Sequence, residues 1–199
     1  MKPLLVYDCE IVRAIPDRKE PPLLGIEYCE GWRDFENMGI SVICAYDYET
    51  DRYRVFLEDG FTEFGELLKE RTAVAFNGRA FDDKLVAAHG MPTGDTYDIL
   101  VEIWAAVGLG PEFQYPSHAG YGLDAVCETN FGMRKTGNGA LAPILWQQGK
   151  RGQVIDYCLH DVKMERTLLD VIRDQGVIVS PVSGDVLHVR KPGLVSVAA

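Results

Sequence analysis

The chain has 199 residues, 47% hydrophobic content and a formal net charge of −10 at pH 7. This size and hydrophobicity allow one substantial core and exclude a disordered chain. No apolar run approaches the roughly 18 residues of a membrane span, and the N-terminus has no signal-peptide pattern, so we expect no membrane association. The five cysteines form no Cys-x-x-Cys pair, which indicates reduced thiols and a cytoplasmic location.

The predicted elements alternate between strands and helices along the chain. They are a strand at 3–8, paired strands at 39–48 and 52–58, a helix at 62–70, a strand at 72–76, helices at 79–89, 97–107 and 123–131, and a long helix at 153–174. This order predicts an α/β fold, a mixed sheet flanked by helices, in a single domain over residues 1–175. Residues 176–199 contain short β segments and predict a C-terminal hairpin or tail.

Two acids interrupt the first apolar strand. Asp8 and Glu10 stand at i and i+2, so they share one face of a strand whose flanking sequence is typical of a buried central position. Two buried carboxylates repel each other and lose hydration, and a divalent cation offsets both costs. The alternative is an edge strand on which both acids are simply solvated.

A third acid follows the strand at 72–76. Asp82 comes just after the turn Asn77-Gly78, near the start of a helix, and beyond the carboxyl end of a strand, where open α/β sheets place their ligands. Its neighbour Asp83 is interpreted as a solvated helix residue, and by helix propensity alone Asp82 would be interpreted in the same way. Asp98 is expected either to cap the next helix or to hold the residues of the site in position without contacting the metal itself.

The last long helix carries a tyrosine and an acid on one face. Tyr157 and Asp161 are at i and i+4, beside the buried stripe of that helix. A hydroxyl and a carboxylate in this arrangement can hold a water next to a metal. Taken alone, the pair is more typical of an ordinary helix surface.

The three motifs together resemble the DEDD family of 3'-5' exonucleases, in its tyrosine-containing branch, on the RNase H-like fold. The resemblance covers residues 3–174 and rests on Asp8-x-Glu10, on Asn77-Gly78-x-x-Phe81-Asp82 and on Tyr157-x-x-x-Asp161, in that order. The wording of the third motif is most similar to the proofreading exonuclease domain of family-B DNA polymerases.

The resemblance implies a two-metal mechanism for phosphodiester hydrolysis, with ions about 4 Å apart. It implies that Asp8 bridges both metals, that Glu10 and Asp161 hold the metal that activates water, and that Asp82 serves the second metal. Tyr157 would orient the attacking water or help to deprotonate it. Oxygen-only ligands favour Mg²⁺ or Mn²⁺ over zinc.

The implied substrate is the 3' end of single-stranded nucleic acid, DNA ahead of RNA, with release of nucleoside 5'-monophosphates. The acidic net charge argues against long-duplex binding, but the stretch 133–151 holds four cations and no acid. Expected substrate contacts are Asn77, Phe81, Asn130 and Lys135. DNA repair is one possible role, and proofreading would require a separate polymerase as partner.

One segment departs from the family pattern. Residues 13–37 form a charged insertion containing Trp32, which we expect to flank the site because long loops in compact domains are often functional. Two other functions stay open: an endonuclease or resolvase on the same fold, and a non-catalytic nucleic-acid-binding module. Tyr157 favours the exonuclease over the first, and the full set of four acids favours it over the second.

Overall fold

The computed structural model describes residues 2–17 and 19–193. The elements follow one another as β1 (Leu4–Ile11), α1 (Phe35–Met38), β2 (Ile40–Asp47), β3 (Arg52–Phe56), α2 (Phe61–Glu70), β4 (Thr72–Ala75), α3 (Asp82–Ala88), β5 (Tyr97–Asp98), α4 (Ile99–Ala106), α5 (Leu123–Phe131), α6 (Ala142–Gln147), α7 (Arg151–Gln175), β6 (Val177–Val179) and β7 (Val186–His188). Short 3₁₀ turns precede α2 and α6.

Five strands form one mixed sheet in the order β3-β2-β1-β4-β5. The β1–β2 and β2–β3 pairs are antiparallel, whereas β4 runs parallel to both β1 and β5. β1 is thus an interior strand, paired with β4 at Leu4–Val6 and with β2 along its length. Glu10 is buried, and the solvated-edge interpretation of the acidic pair is excluded.

The two faces of the sheet build separate cores because successive β1 side chains point to opposite sides. Leu4 and Val6 pack with α4, α5 and α7 on one face. Leu5 and Tyr7 pack with α2 and α3 on the other. By the same alternation, Asp8 and Glu10 point to the α7 face of the sheet.

The structure confirms the α/β fold with a mixed sheet and flanking helices. β1 continues to Ile11, three residues beyond its predicted end, because the antiparallel partner β2 pairs with it along this length. The predicted cap of α5 is present: Gly132 has a φ of 67° in the left-handed region, and its N–H donates to Glu128.

Helix α6 lies in the cation-bearing stretch 133–151, where no helix was predicted. Pro143 near its start is the signal that marks it. The predicted C-terminal hairpin corresponds to the antiparallel pair β6–β7, and the part of that extension from 194 to 199 lies outside the described residues. Among the described residues, no helix combines the length and apolar character needed to cross a bilayer.

Candidate active site

Three carboxylates from two elements converge at one place. Asp8 and Glu10 on β1 and Asp161 on α7 each offer an oxygen, and these oxygens lie within 4.8 Å of one another. Glu10 and Asp161 are buried, and Asp8 is partly exposed. The i, i+2 spacing on a strand and the packing of α7 over that strand produce this cluster.

Asp82 approaches the cluster from α3 but is not part of the 4.8 Å group. Its carboxylate accepts a hydrogen bond of 3.0 Å from the backbone N–H of Cys9, the residue between the two β1 acids. Asp82 is buried, with 4% of its surface exposed. The start of α3 is thereby tied directly to the strand that carries Asp8 and Glu10.

The turn before α3 depends on two unusual residues and one carboxylate. Asn77 has a positive φ of 66°, and a β-carbon on Gly78 would lie 2.5 Å from that of Ala75. Asp98 accepts backbone N–H bonds from Asn77 at 2.9 Å and from Arg79 at 3.0 Å. It also caps α4 by accepting from the first N–H groups of that helix. Asp98 thus both caps α4 and holds the turn that precedes Asp82.

The prediction that Asp83 is an ordinary solvated residue is wrong. The Asp83 carboxylate accepts hydrogen bonds from the hydroxyls of Tyr7 and Thr96. Both partners lie on strands or strand ends far away in sequence, so local helix propensity could not reveal them.

Lys135 lies over the α7 side of the cluster. Its ammonium donates to Asp161 Oδ2 at 2.5 Å and to the hydroxyl of Tyr157 at 3.3 Å. The glycine-rich segment behind it lies against the Tyr157 ring, since a β-carbon on Gly137 would come within 3.0 Å of that ring. The backbone of Lys135 is held in turn by Asp124, which accepts its N–H.

Burial and mutual repulsion raise the pKa values of the clustered carboxylates. Burial, followed by the charge of Asp161, raises the pKa of Asp8 to about 7. Burial and the charge of Asp8 raise the pKa of Glu10 and that of Asp82 well above their ordinary values. The cluster therefore resists full ionisation when no cation balances it.

The pKa values of Tyr157 and Lys135 are both raised, but for different reasons. Burial, and then the charge of Asp161, raises the pKa of Tyr157 well above its ordinary range. Burial alone would lower the pKa of Lys135, but the charges of Asp161 and Asp8 raise it. At neutral pH the tyrosine is thus a phenol and the lysine a cation.

Glu165 is a buried acid that the sequence analysis missed. It lies one helical turn after Asp161, is 2% exposed, and its Oε2 has no hydrogen-bond partner. Burial and the charges of Asp8 and Asp82 raise its pKa. Its i+4 spacing from Asp161 was the available signal, because positions four apart share a helix face.

The donor set fits divalent cations. Asp8 Oδ2 and Asp161 Oδ1 are buried oxygens without a hydrogen-bond partner, which is costly unless a ligand binds them. All candidate donors are carboxylate oxygens, the ligands that Mg²⁺ and Mn²⁺ prefer. Asp8, Glu10 and Asp161 can therefore hold a metal, with Asp82 beside them.

A cleft of about 1640 Å³ opens over the cluster. This volume exceeds the roughly 300–1,000 Å³ of ordinary small-molecule pockets, so the cleft suits an extended ligand. Its walls come from the insertion 13–37, from α3 and from the segment that precedes α6. As expected, the insertion flanks the site.

The four expected substrate contacts divide into two groups. Asn77, Phe81 and Lys135 line the cleft. The structure does not bring Asn130 there: its amide group donates to Val179 O and accepts from Val179 N–H, which attaches α5 to β6.

The sheet order and flanking helices define an RNase H-like α/β fold, with an acidic cluster at the centre of its sheet. Two solved structures share this fold. A family B DNA polymerase from the hyperthermophilic archaeon Pyrobaculum calidifontis matches with a TM-score of 0.56 and 17% identity, over 86% of this chain and 24% of its own. Trypanosoma brucei RNase D in complex with GMP matches with a TM-score of 0.54 and 16% identity, over 91% of this chain and 54% of its own.

The chain thus spans about a quarter of the polymerase and about half of the RNase D structure. No protein-family model matches the sequence. No curated protein matches it at a significant level. The likeness at these identities defines the fold, and the site has to be argued from its own geometry.

Proposed function

We propose that this protein is a metal-dependent 3'-5' exonuclease that hydrolyses the terminal phosphodiester bond of single-stranded nucleic acid and releases nucleoside 5'-monophosphates. Asp8, Glu10, Asp82, Tyr157 and Asp161 are the proposed catalytic residues, with two divalent ions, Mg²⁺ or Mn²⁺, held by the four acids. Asn77, Phe81 and Lys135 are the proposed substrate contacts. DNA is the first substrate to test.

One observation carries the proposal. The oxygens of Asp8, Glu10 and Asp161 lie within 4.8 Å of one another, and these residues line an open cleft. One oxygen each of Asp8 and Asp161 is buried without a hydrogen-bond partner. An acidic cluster without a cation would repel a phosphodiester. Divalent ions bound there would offset this charge and polarise the phosphodiester for in-line attack by water.

The chain's own residues have distinct tasks in this reaction. Tyr157 keeps its proton at neutral pH because its pKa is raised, so it acts as a hydrogen-bond donor that orients the attacking water. Lys135 donates to the Tyr157 hydroxyl, which leaves the hydroxyl proton free to point away toward that water. The lysine charge also favours a phosphate oxygen near Asp161.

Asp82 has a positioning contact as well as a proposed metal role. Its hydrogen bond from Cys9 N–H fixes the distance between α3 and β1, and this holds Phe81 at the wall of the cleft. An aromatic ring there can contact the terminal nucleoside while the acids engage its phosphate. The strand end would then enter with its phosphate toward β1.

The solved relatives support this assignment by analogy. One is a DNA polymerase and the other an RNase D bound to GMP, a nucleoside monophosphate of the class that an exonuclease releases. A separate polymerase or repair protein is a proposed partner. The fold also supports endonucleases, so the direct test has to separate internal from terminal cleavage.

The test uses 5'-labelled single-stranded DNA and RNA oligonucleotides with Mg²⁺, Mn²⁺ or EDTA. The matched variants are Asp8→Asn, which keeps the side-chain shape, and Asp156→Asn, which changes an exposed acid on α7. We expect a ladder that shortens from the 3' end with wild type and with Asp156→Asn, and none with Asp8→Asn or in EDTA.

Other products would contradict the proposal in distinct ways. Discrete internal cuts would indicate an endonuclease. Intact strands under every metal condition would indicate a binding module. A ladder that persists in Asp8→Asn at the wild-type rate would place the chemistry elsewhere or in a contaminant.

A further inference from the structure

Trp32 is an exposed aromatic residue at the edge of the cleft. It lies at the tip of a tight turn that the N–H of Asp34 closes by donating to Gly31 O at 3.1 Å. The indole is 69% exposed. A ring that could bury about 150–250 Å² is thus presented to solvent at the wall of the site.

The turn is fixed by its neighbours on both sides. The Asp34 carboxylate accepts the N–H of Glu30 at 2.8 Å. Just before it, buried Cys29 donates its N–H to Ala14 O at 3.0 Å. The side-chain amide of Gln147 on α6 also donates to Glu27 O at 3.0 Å. Because these bonds hold the backbone, the ring is preorganised for a ligand.

The indole continues the aromatic wall that leads to the acids. Its ring centre lies 6.2 Å from that of Phe81 in an edge-on arrangement. Phe35 supports Phe81 from another side, with ring centres 5.8 Å apart. Phe81 immediately precedes Asp82, so the ring series runs from the cluster to the rim of the cleft.

The charges around this wall indicate a polyanionic occupant. Lys19, Arg33 and Lys84 line the same cleft and are exposed. Within the described ranges, none of these three side chains forms an ion pair. In a chain of net charge −10, unpaired cations beside an aromatic wall match a strand of phosphates and bases.

We infer that Trp32 is a base-stacking residue, which holds an unpaired nucleobase upstream of the scissile phosphate while Phe81 contacts the terminal nucleoside. The inference rests on the proposed function, because the occupant is the same single strand. Stacking needs a flat exposed ring and no base-specific hydrogen bond, so the contact tolerates any sequence.

The experiment measures binding without hydrolysis. The full chain is titrated in Mg²⁺, whose charge offsets that of the acidic cluster, against a 5'-fluorescein-labelled oligothymidylate. The last 3' linkages of this strand are phosphorothioates, which resist hydrolysis, and fluorescence anisotropy gives Kd. The same strand with abasic sites near the 3' end is the paired probe. The variants are Trp32→Ala, Trp32→Phe and Leu24→Ala, the last a fully exposed apolar residue of the same insertion that does not line the cleft.

We expect Trp32→Ala to weaken binding of the intact strand roughly 5- to 150-fold, the range of one lost base stack. Trp32→Phe should recover most of the affinity, and Leu24→Ala should bind like wild type. On the abasic strand, wild type and Trp32→Ala should have the same Kd, because no base remains to stack. This difference separates stacking from a structural role of the indole.

Three outcomes would overturn the inference: an unchanged Kd in Trp32→Ala, an equal loss on the intact and abasic strands, or wild type that binds neither strand. An unchanged Kd in Trp32→Ala would indicate that the exposed indole contacts a protein partner instead of a base. The proposed function fails separately, if wild type binds through Trp32 but degrades no unmodified strand with Mg²⁺ or Mn²⁺. If Trp32→Ala leaves Kd unchanged while wild type still degrades the unmodified strand, the stacking inference fails and the proposed function stands.

Discussion

The acidic cluster should make the metal-free protein less stable as the pH rises, and Asp8→Asn should remove much of this penalty. The pKa of Asp8 is about 7 in the folded chain, against an ordinary value of 3.8. A group with a raised folded pKa favours the fold below its unfolded pKa, and this contribution is lost as the pH rises through the folded value. The window therefore runs from about pH 4 to about pH 7.

The expected magnitude follows from the size of the shift. About three pKa units at roughly 1.4 kcal/mol each give an upper limit of about 4 kcal/mol for Asp8 at about pH 8. Burial is the largest cause of the raised pKa values of Glu10 and Asp82, so most of their penalty should remain in the variant, although the part due to the charge of Asp8 is removed. For a chain of this length, 1 kcal/mol corresponds to about 2–4 °C in Tm, which predicts a rise of up to roughly 8–16 °C.

The assay is thermal unfolding in EDTA at about pH 5 and about pH 8, followed by titration with Mg²⁺ or Mn²⁺. Wild type should melt lower at the higher pH and recover with metal, because ligand binding to the native state raises Tm. Asp8→Asn should melt higher than wild type in EDTA and lose most of the metal response. The surface control Asp156→Asn should follow wild type at both pH values. An Asp8→Asn variant that melts with or below wild type at the higher pH in EDTA would refute the reasoning.

Three further substitutions test the supporting contacts. Gly78→Ala places a β-carbon 2.5 Å from that of Ala75, so urea unfolding should show that the free energy of unfolding falls by about 1–3 kcal/mol. The control Gly94→Ala has open space around it and should match wild type. Equal urea midpoints for the two variants would contradict the clash. Tyr157→Phe should lower kcat about 10²- to 10⁴-fold while keeping metal-dependent stabilisation, and an unchanged kcat would rule out a role for the hydroxyl. Glu165→Gln should raise Tm in EDTA at about pH 8, since burial raises the pKa of this carboxyl; a lower Tm would show that its negative charge is stabilising.

The sequence predicted the parts of the site that depend on local periodicity. The i, i+2 spacing of Asp8 and Glu10 on a strand and the i, i+4 spacing of Tyr157 and Asp161 on a helix each define a face. The predicted alternation of strands and helices likewise matched the mixed sheet. In these cases the backbone geometry of a single element was sufficient.

The missed features depend on contacts between elements distant in sequence. Asp83 gains its partners from β1 and from Thr96, Glu165 is buried by the packing of α7 on the sheet, and Asn130 is engaged by β6. Local spacing does not indicate the contacts of Asp83 or Asn130, and for Glu165 it indicates only a helix face shared with Asp161. The tertiary environment decided whether each polar side chain faced water, a partner or the core.

Asp98 joins two turns that belong to different layers of the molecule. One carboxylate receives N–H groups from Asn77 and Arg79 before α3 and from Leu100 and Val101 at the start of α4. Opening either turn would leave the other with unpaired N–H groups, so the two should exchange amide protons as one cooperative unit. A substitution that disrupts α4, on the face of the sheet opposite α3, would therefore also disturb the turn from Asn77 to Arg79, which positions Asp82. Such a substitution should lower the proposed activity even though it contacts neither metal nor substrate.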